Sequence, residues 1–229
     1  MPNGSELRVL VSWSSGKDSA WTLYRLRDLF QVRIVGLITT LNRSAKRVAM
    51  HAVREELVEA QAQAVGLPLR KVWLPAPCSN AEYERLFGAA LQEAKAQGVQ
   101  AVAFGDLFLE DVRAYRERLL ESVGLMPLFP LWGQETHRLA QEMLEAGLEA
   151  YLTCVDPQQM DPTLVGCRYD TELLRRLPPT VDPCGERGEF HTFAAAGPMF
   201  AQPIRVSPGE IVCRDGFVFA DLLPQDQQA

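Results

Sequence analysis

Apolar and β-branched residues bunch in "LRVLVSW", residues 7–13, and a polar turn ends the run, which is the pattern of a buried strand. Behind it, "DSAWTLYRLRDLF" sets Trp21, Leu23, Tyr24, Leu26 and Phe30 near helical spacing, and "VRIVGLIT" returns to a continuous apolar run. The cycle then repeats. "AVREELVEAQAQAVG" puts Val53, Leu57, Ala60 and Ala64 on one helical face and stops at Gly66, after which "LRKVWLP" is strand-like. "NAEYERLFGAALQEAKAQG" is a helix closed by Gly98, and "QAVAFG" is a fourth strand. Strands alternating with helices of this length predict a parallel sheet with helices on both faces.

Past the fourth strand the rhythm changes. "MPLFPLWG", residues 126–133, crowds Pro127, Pro130 and Gly133 among large apolar groups and reads as a rigid, extended crossing into a second half. No polar linker intervenes, so the boundary near residue 130 is an interlocked one. "QETHRLAQEMLEAGLEAYLTCVD" supplies a helix, Gly147 and a strand ending near Cys154 and Asp156. "EIVCRDGFVFADLLP" alternates around Asp215-Gly216 as a β-hairpin, and the polar tail "PQDQQA" is expected to fray. The expected fold is α/β: a parallel-sheet nucleotide-binding domain over 1–130 and a smaller α+β substrate domain over 131–229. No internal repeat or low-complexity segment interrupts it.

Composition narrows the partners. The 229 residues are 47% hydrophobic, enough for a packed core, and carry a net charge of -6, so no general basic field exists to capture nucleic acid. The start, "MPNGSELRVLV", has neither a positive flank nor a long apolar segment, and the expectation is a soluble, cytoplasmic protein without membrane contact. Cys78, Cys154, Cys167, Cys184 and Cys213 form no C-x-x-C pair and are odd in number, which favours reduced thiols over a disulfide framework. Buried small thiols are preferred to a zinc or iron-sulfur site gathered from Cys154, Cys167 and Cys184. Oligomeric state is left open.

In parallel α/β sheets, ligands bind beyond the carboxyl ends of the strands, and two polar clusters fall there. The first is "SSGKDS", residues 14–19. It is not a Walker A loop, G-x-x-x-x-G-K-[ST], because Val11 stands where the first glycine belongs and Asp18 follows Lys17. Ser14, Ser15 and Gly16 still permit a tight turn with inward amides, Ser19 opens a helix whose positive end favours an anion, and Lys17 adds a full charge. Asp18 would repel phosphate, so it either caps the helix or helps hold a magnesium ion. The plain alternative is a strand-to-helix turn with a polar cap.

The second cluster is "GDLFLED", residues 105–111. Gly105 lets backbone approach a ligand, and Asp106 offers a carboxylate to magnesium or ribose, with a helix cap as the plain alternative. Glu110, Arg113 and Glu117, spaced by three and four, read as a solvated face of paired charges, of which Arg113 is kept as a candidate substrate contact.

A third concentration is "CGERGEFHTF", residues 184–193. Its glycines give backbone freedom, while Glu186, Glu189 and His191 bring carboxylates and an imidazole. Alternation would put Glu189 and His191 on one side of an extended segment, where a carboxylate could hold an incoming ammonium and the histidine take its proton. A glycine turn beside a satisfied histidine is the competing reading. His51, in "AMHAVREEL", is read as opening a helix in preference to touching nucleotide.

"SSGKDS" resembles the SGGKDS loop of the ATP pyrophosphatases, the PP-loop or adenine nucleotide alpha hydrolase superfamily, with Ser15 in place of the first glycine. "GDLFLEDVRAYRERLLESVGLMPLFPLWG" and "DPCGERGEFHTF" resemble the diphthine-ammonia ligase family and related bacterial ATP-binding proteins. The resemblance runs through most of the chain. It implies a HUP-like fold, ATP and Mg2+ as cofactors, and cleavage of ATP between its alpha and beta phosphates, the loop holding the departing pyrophosphate. It implies adenylation of an acceptor carboxylate, in that family a modified protein histidine, with ammonia then displacing AMP. Carried over position by position, Ser14 to Ser19, Gly105 and Asp106 would hold nucleotide, with Asp18 and Asp106 on the metal. Glu186, Gly188, Glu189, His191, Thr192 and Arg113 would line the acceptor site, and Lys17, Asp18, Glu189 and His191 would be catalytic. A tRNA-thiolating enzyme is disfavoured by the missing C-x-x-C pairs and the acidic balance. A nucleotide-sensing module is disfavoured by the intact Lys17 and Asp18 and the furnished second half.

Overall fold

A computed structural model describes residues 6–29 and 31–225, so Phe30 and the tail residues 226–229 lie outside the described residues. The first half builds one sheet from β1 (Leu7–Ser12), β2 (Val32–Asn42), β3 (Arg47–Val48), β4 (Leu69–Leu74), β5 (Ala101–Ala103) and β6 (Met126–Leu128). β1 lies between β2 and β5, β4 flanks β2 and β6 flanks β5, all parallel, while β3 adds a short antiparallel step on Leu41 and Asn42. The helices between them are α1 (Lys17–Leu29), α2 (Glu55–Val65), α3 (Asn80–Ala96) and α4 (Glu110–Val123). Gly66 (φ 71°) and Gly124 (φ 67°) end α2 and α4 in the left-handed conformation that a side chain would strain.

Alternation along β1 shows why the sheet needs cover on both faces. Val9 and Val11 enter one apolar core with Trp13, Leu23 and Leu57, whereas Leu10 enters another with Ile38, Phe87 and Leu120. The first core continues into the second half through Tyr169, Phe190 and Phe193.

The second half contains α5 (Thr136–Glu145), β7 (Glu149–Val155), β8 (Arg168–Tyr169), α6 (Thr171–Arg176), β9 (Phe190–Ala196), β10 (Val206–Arg214) and β11 (Phe217–Pro224). Its sheet is antiparallel and centred on β7, which pairs with β9, β8 and β11, and β10 closes onto β11. The β10–β11 hairpin turns at Asp215 (φ 52°) and Gly216 (φ 85°), both left-handed as a two-residue turn requires.

One reading is corrected. Part of "MPLFPLWG" is β6, the outermost parallel strand, and the turn follows only at residues 130–133. Pro127 is tolerated there because an edge strand leaves one side of its backbone without a ladder partner. Among the described residues, no helix is long and apolar enough to cross a membrane.

The halves interlock through hydrogen bonds. The Gln61 side chain, fully buried, accepts from Trp13 Nε1 (2.8 Å) and donates to the carbonyls of Ser15 (2.9 Å) and Ala194 (2.7 Å). Ala194 N also donates to Ser15 O at 2.9 Å, so the polar loop after β1 is fastened directly to β9.

Candidate active site

The loop between β1 and α1 is a compact turn with Ser15 in the left-handed region (φ 71°). Ser19 Oγ donates to Gly16 O at 2.9 Å, and Thr192 Oγ1 accepts from Lys17 N at 3.1 Å. The helix begins at Lys17, two residues ahead of the expected Ser19. No backbone carbonyl among the described residues accepts from the first-turn amides at Asp18 and Ser19, although the Asp18 carboxylate draws on its own amide, so the Ser19 amide is the one left at the positive end of α1.

Lys17 is 1% exposed. Its Nζ donates to both Asp18 oxygens (2.9 and 2.8 Å) and to the Cys184 carbonyl, and lies 5.4 Å from the Tyr169 ring centre. Burial is the largest influence and works to lower the Lys17 pKa, but Asp18, Cys184 and Glu186 together outweigh it and the net shift is upward, so the ammonium stays charged, while burial raises the Asp18 carboxyl against the pull of Lys17. Asp18 pairs with Lys17 and does not cap the helix.

Gly105 lets β5's end pack closely on the start of α1: a Cβ there would stand 3.0 Å from the Asp18 carbonyl carbon. This brings Asp106 to the cavity beside the phosphate-type loop, as the fold rule anticipates for two clusters some ninety residues apart. Asp106 Oδ2 is 3.5 Å from Arg116 Nε, and both atoms are buried without a hydrogen-bond partner among the described residues. The Arg116 guanidinium lies 4.8 Å from the Phe104 ring centre.

Opposite stands the loop before β9, shaped by two buried acids. Asp182 accepts from Thr136 Oγ1 (2.7 Å) and Cys184 N (2.9 Å), and Glu189 accepts from Asp182 N (2.8 Å) and Arg187 N (2.9 Å). Gly185 (φ 72°) turns where a Cβ would meet Phe190 O at 2.8 Å. The loop thereby presents Glu186, whose Oε1 accepts from Leu107 N at 2.7 Å. Burial pushes the Glu186 carboxyl up to about 7, against the pull of that amide. His191 lines the cavity with its ring 4.6 Å from that of His51, and His51 Nδ1 is 2.9 Å from Thr192 O. Burial pulls His191 down to about 3 and His51 to about 4, with the Lys17 charge adding to both, so both imidazoles are neutral.

One cavity of about 370 Å³ therefore receives Ser14, Lys17, Asp18 and Ser19 from the first loop, Gly105 and Asp106 from β5's end, and Glu186, His191 and Thr192 from the second half. Five expected residues do not line it: Ser15, which is fully buried, Gly16, which packs against His51, and Glu189, Gly188 and Arg113. Glu189 is fully buried with both oxygens committed to backbone amides, and it does not share a face with His191, because residues 184–189 are a turn and β9 starts only at Phe190. Gly188 (φ 84°) belongs to the same turn, away from the cavity. Arg113 packs against Trp132 (4.7 Å) and Phe129 (5.0 Å) and pairs with Glu117 at 2.8 Å, while Arg116, one turn further on, reaches the cavity. Sequence reading missed Arg116 and Tyr83, whose only signal is their helix register, and Gln61, a lone polar residue on an otherwise apolar helix face. His51 does not open α2; it precedes Glu55 by a short loop and enters the cavity. The thiols show no metal site: no group of three or more His, Cys, Asp or Glu among the described residues could hold an ion, and burial pushes Cys154 up to about 12 and Cys184 higher still.

A parallel sheet in the order β4, β2, β1, β5, β6, with a helix start open beneath its carboxyl ends and an antiparallel half closing over it, defines an α/β protein of the HUP type. The sequence matches the diphthamide synthase N-terminal domain over residues 7–127 and the diphthamide synthase C-terminal domain over residues 135–221. The chain belongs to the diphthamide synthase family. It is similar to the diphthine–ammonia ligases of Homo sapiens and Bos taurus, each 24% identical with 93% of this chain and 88% of the relative covered. The diphthine–ammonia ligase of Danio rerio is 27% identical, with 93% and 92% covered.

Proposed function

We propose that this protein is an ATP-dependent amide-forming ligase: it adenylates an acceptor carboxylate, releases pyrophosphate, and lets ammonia displace AMP. Residues 1–130 take the nucleotide and residues 131–229 the acceptor. The observation that carries this reading is the shared cavity, where the start of α1 and a buried, charged Lys17 share the lining with Glu186 from the loop before β9 and His191 from β9.

Lys17 and the Ser19 amide hold the beta and gamma phosphates, leaving the alpha phosphate open to attack, and their fixed charge and dipole favour the departing pyrophosphate. Mg2+ is ordinarily held by one or two carboxylates together with substrate phosphates, and Asp18, paired with Lys17, and Asp106, 3.5 Å from Arg116, are the two carboxylates of the first half that line the cavity. Asp18 and Asp106 would hold it, and it would supply charge neutralisation on the phosphates. In the second half-reaction Glu186, titrating near neutrality, is better matched as proton acceptor than His191, which burial makes a weak base. His191 and Thr192 shape the acceptor site. Glu189 acts through the loop it braces.

The acceptor is a carboxylate, and by kinship with diphthine–ammonia ligases we assign diphthine, a modified protein histidine, as the first one to test. Incubation with ATP, magnesium, ammonium and diphthine-bearing elongation factor should yield AMP and pyrophosphate, and Lys17→Ala should slow this by roughly 10²-fold or more. ADP as the main nucleotide product would overturn the reading.

A further inference from the structure

His51 is delivered to the cavity by an unusual piece of chain. The residues on either side of it, Met50 (φ 64°) and Ala52 (φ 55°), are both left-handed without being glycine, a strained conformation that persists only where surroundings enforce it. The enforcing contacts are visible. Arg47 and Arg54, at the two ends of this strap, both grip the Asp221 carboxylate from β11, Arg47 at 2.7 Å and Arg54 at 2.6 Å. The imidazole is seated against Gly16, where a Cβ would come within 2.7 Å of its Cε1. A strained strap, a two-arginine clamp and a glycine seat hold this ring at one place, beside His191 and over the first loop.

The hydrogen bonding fixes what the ring offers. A carbonyl oxygen can only accept, so the 2.9 Å contact to Thr192 O requires the hydrogen on Nδ1. In the neutral ring Nε2 then carries a lone pair. A lone pair is unsuited to phosphate, which is itself an acceptor; it suits an N–H or O–H donor.

We propose that His51 holds the ammonia molecule, its Nε2 accepting one N–H so that the nitrogen lone pair is aimed at the acyl-adenylate. This rests on the ligase reading above. In the step it serves, the nitrogen lone pair forms the C–N bond, the bond from the acyl carbon to the AMP oxygen breaks with its electron pair leaving on AMP, and the surplus proton passes from nitrogen to the Glu186 carboxylate.

The test uses the full chain labelled with 15N-histidine, which has only three imidazoles to assign. His51 should appear as the Nδ1–H tautomer, and its Nε2 resonance should move saturably with ammonium chloride but not with equal potassium chloride. His51→Phe, checked for an unchanged melting temperature and ATP affinity, should raise the KM for ammonium about tenfold, the scale of one lost hydrogen bond, while His51→Gln, which keeps an acceptor, recovers part of it. A melted His51→Phe leaves the wild-type resonances as the deciding measurement. An Nε2–H tautomer, or an Nε2 resonance indifferent to ammonium, overturns the proposal even if AMP is being formed. A saturable ammonium shift in a protein that makes ADP sustains the site and removes the ligase reading instead.

Discussion

Ser15 occupies a left-handed position with a fully buried hydroxyl that finds no hydrogen-bond partner among the described residues. The strained backbone and the orphaned hydroxyl each cost about 1 kcal/mol or more, while glycine there loses roughly 0.5–1 kcal/mol through its freer unfolded chain. Ser15→Gly should therefore stabilise the protein by about 1 kcal/mol in denaturant unfolding, and a loss of stability would contradict the strain assignment. Glu186 gives a second expectation at this scale. Its folded pKa of about 7 lies above the ordinary carboxyl range, so the folded state favours the protonated form, and this contribution is lost as pH rises through about 7. As proton acceptor it must be ionised, so the rate at a fixed concentration of free ammonia should fall on the acid side of about pH 7, and Glu186→Gln should lose that limb while gaining stability at higher pH. A limb unchanged in Glu186→Gln would assign the proton to another group. The motif around these residues was legible in the sequence; which of its carboxylates faces the cavity was not. Strict alternation assumes a strand, and the glycine turns at 185 and 188 break the register that would have paired Glu189 with His191.

At the scale of elements, periodicity revealed the strands and helices that bury a face, and the carboxyl-end rule placed the loops after β1 and β5 in one crevice. The strap from Arg47 to Arg54 buries no periodic face; its last residues, Ala52 to Arg54, read in the sequence as the start of a helix that begins only at Glu55, and its position depends on Asp221, 167 residues beyond Arg54. Arg113 and Arg116 differ by one helical turn, and only the packing of α4 against Phe104, Phe129 and Trp132 decides which of them reaches the cavity. Burial opposes ionisation of Asp221, but the two arginines win and hold its carboxyl down to about 2. That stabilisation is present above the ordinary carboxyl range and is lost as pH falls toward about 2. Asp221→Asn should cost about 1–2 kcal/mol at neutral pH, discounted for the partly exposed arginines, and the difference from wild type should shrink as pH is lowered below about 4. A deficit that does not vary with pH would contradict the clamp.

Across the whole molecule the two halves form one working unit. Gln61 ties α2 to the first loop and to β9, Thr192 secures the start of α1, and the principal apolar core runs through both halves without a break. The loop after β1 and the loop before β9 are therefore held in fixed relation, as two half-reactions on one intermediate would require under the ligase proposal. The central claim is that an acceptor carboxylate attacks the alpha phosphate. The most direct measurement labels that carboxylate with heavy oxygen in diphthine-bearing elongation factor and follows the label through an ammonium-dependent reaction with ATP. Acyl-adenylation requires one labelled oxygen to leave with AMP as the amide forms; amide formed alongside unlabelled AMP would contradict it.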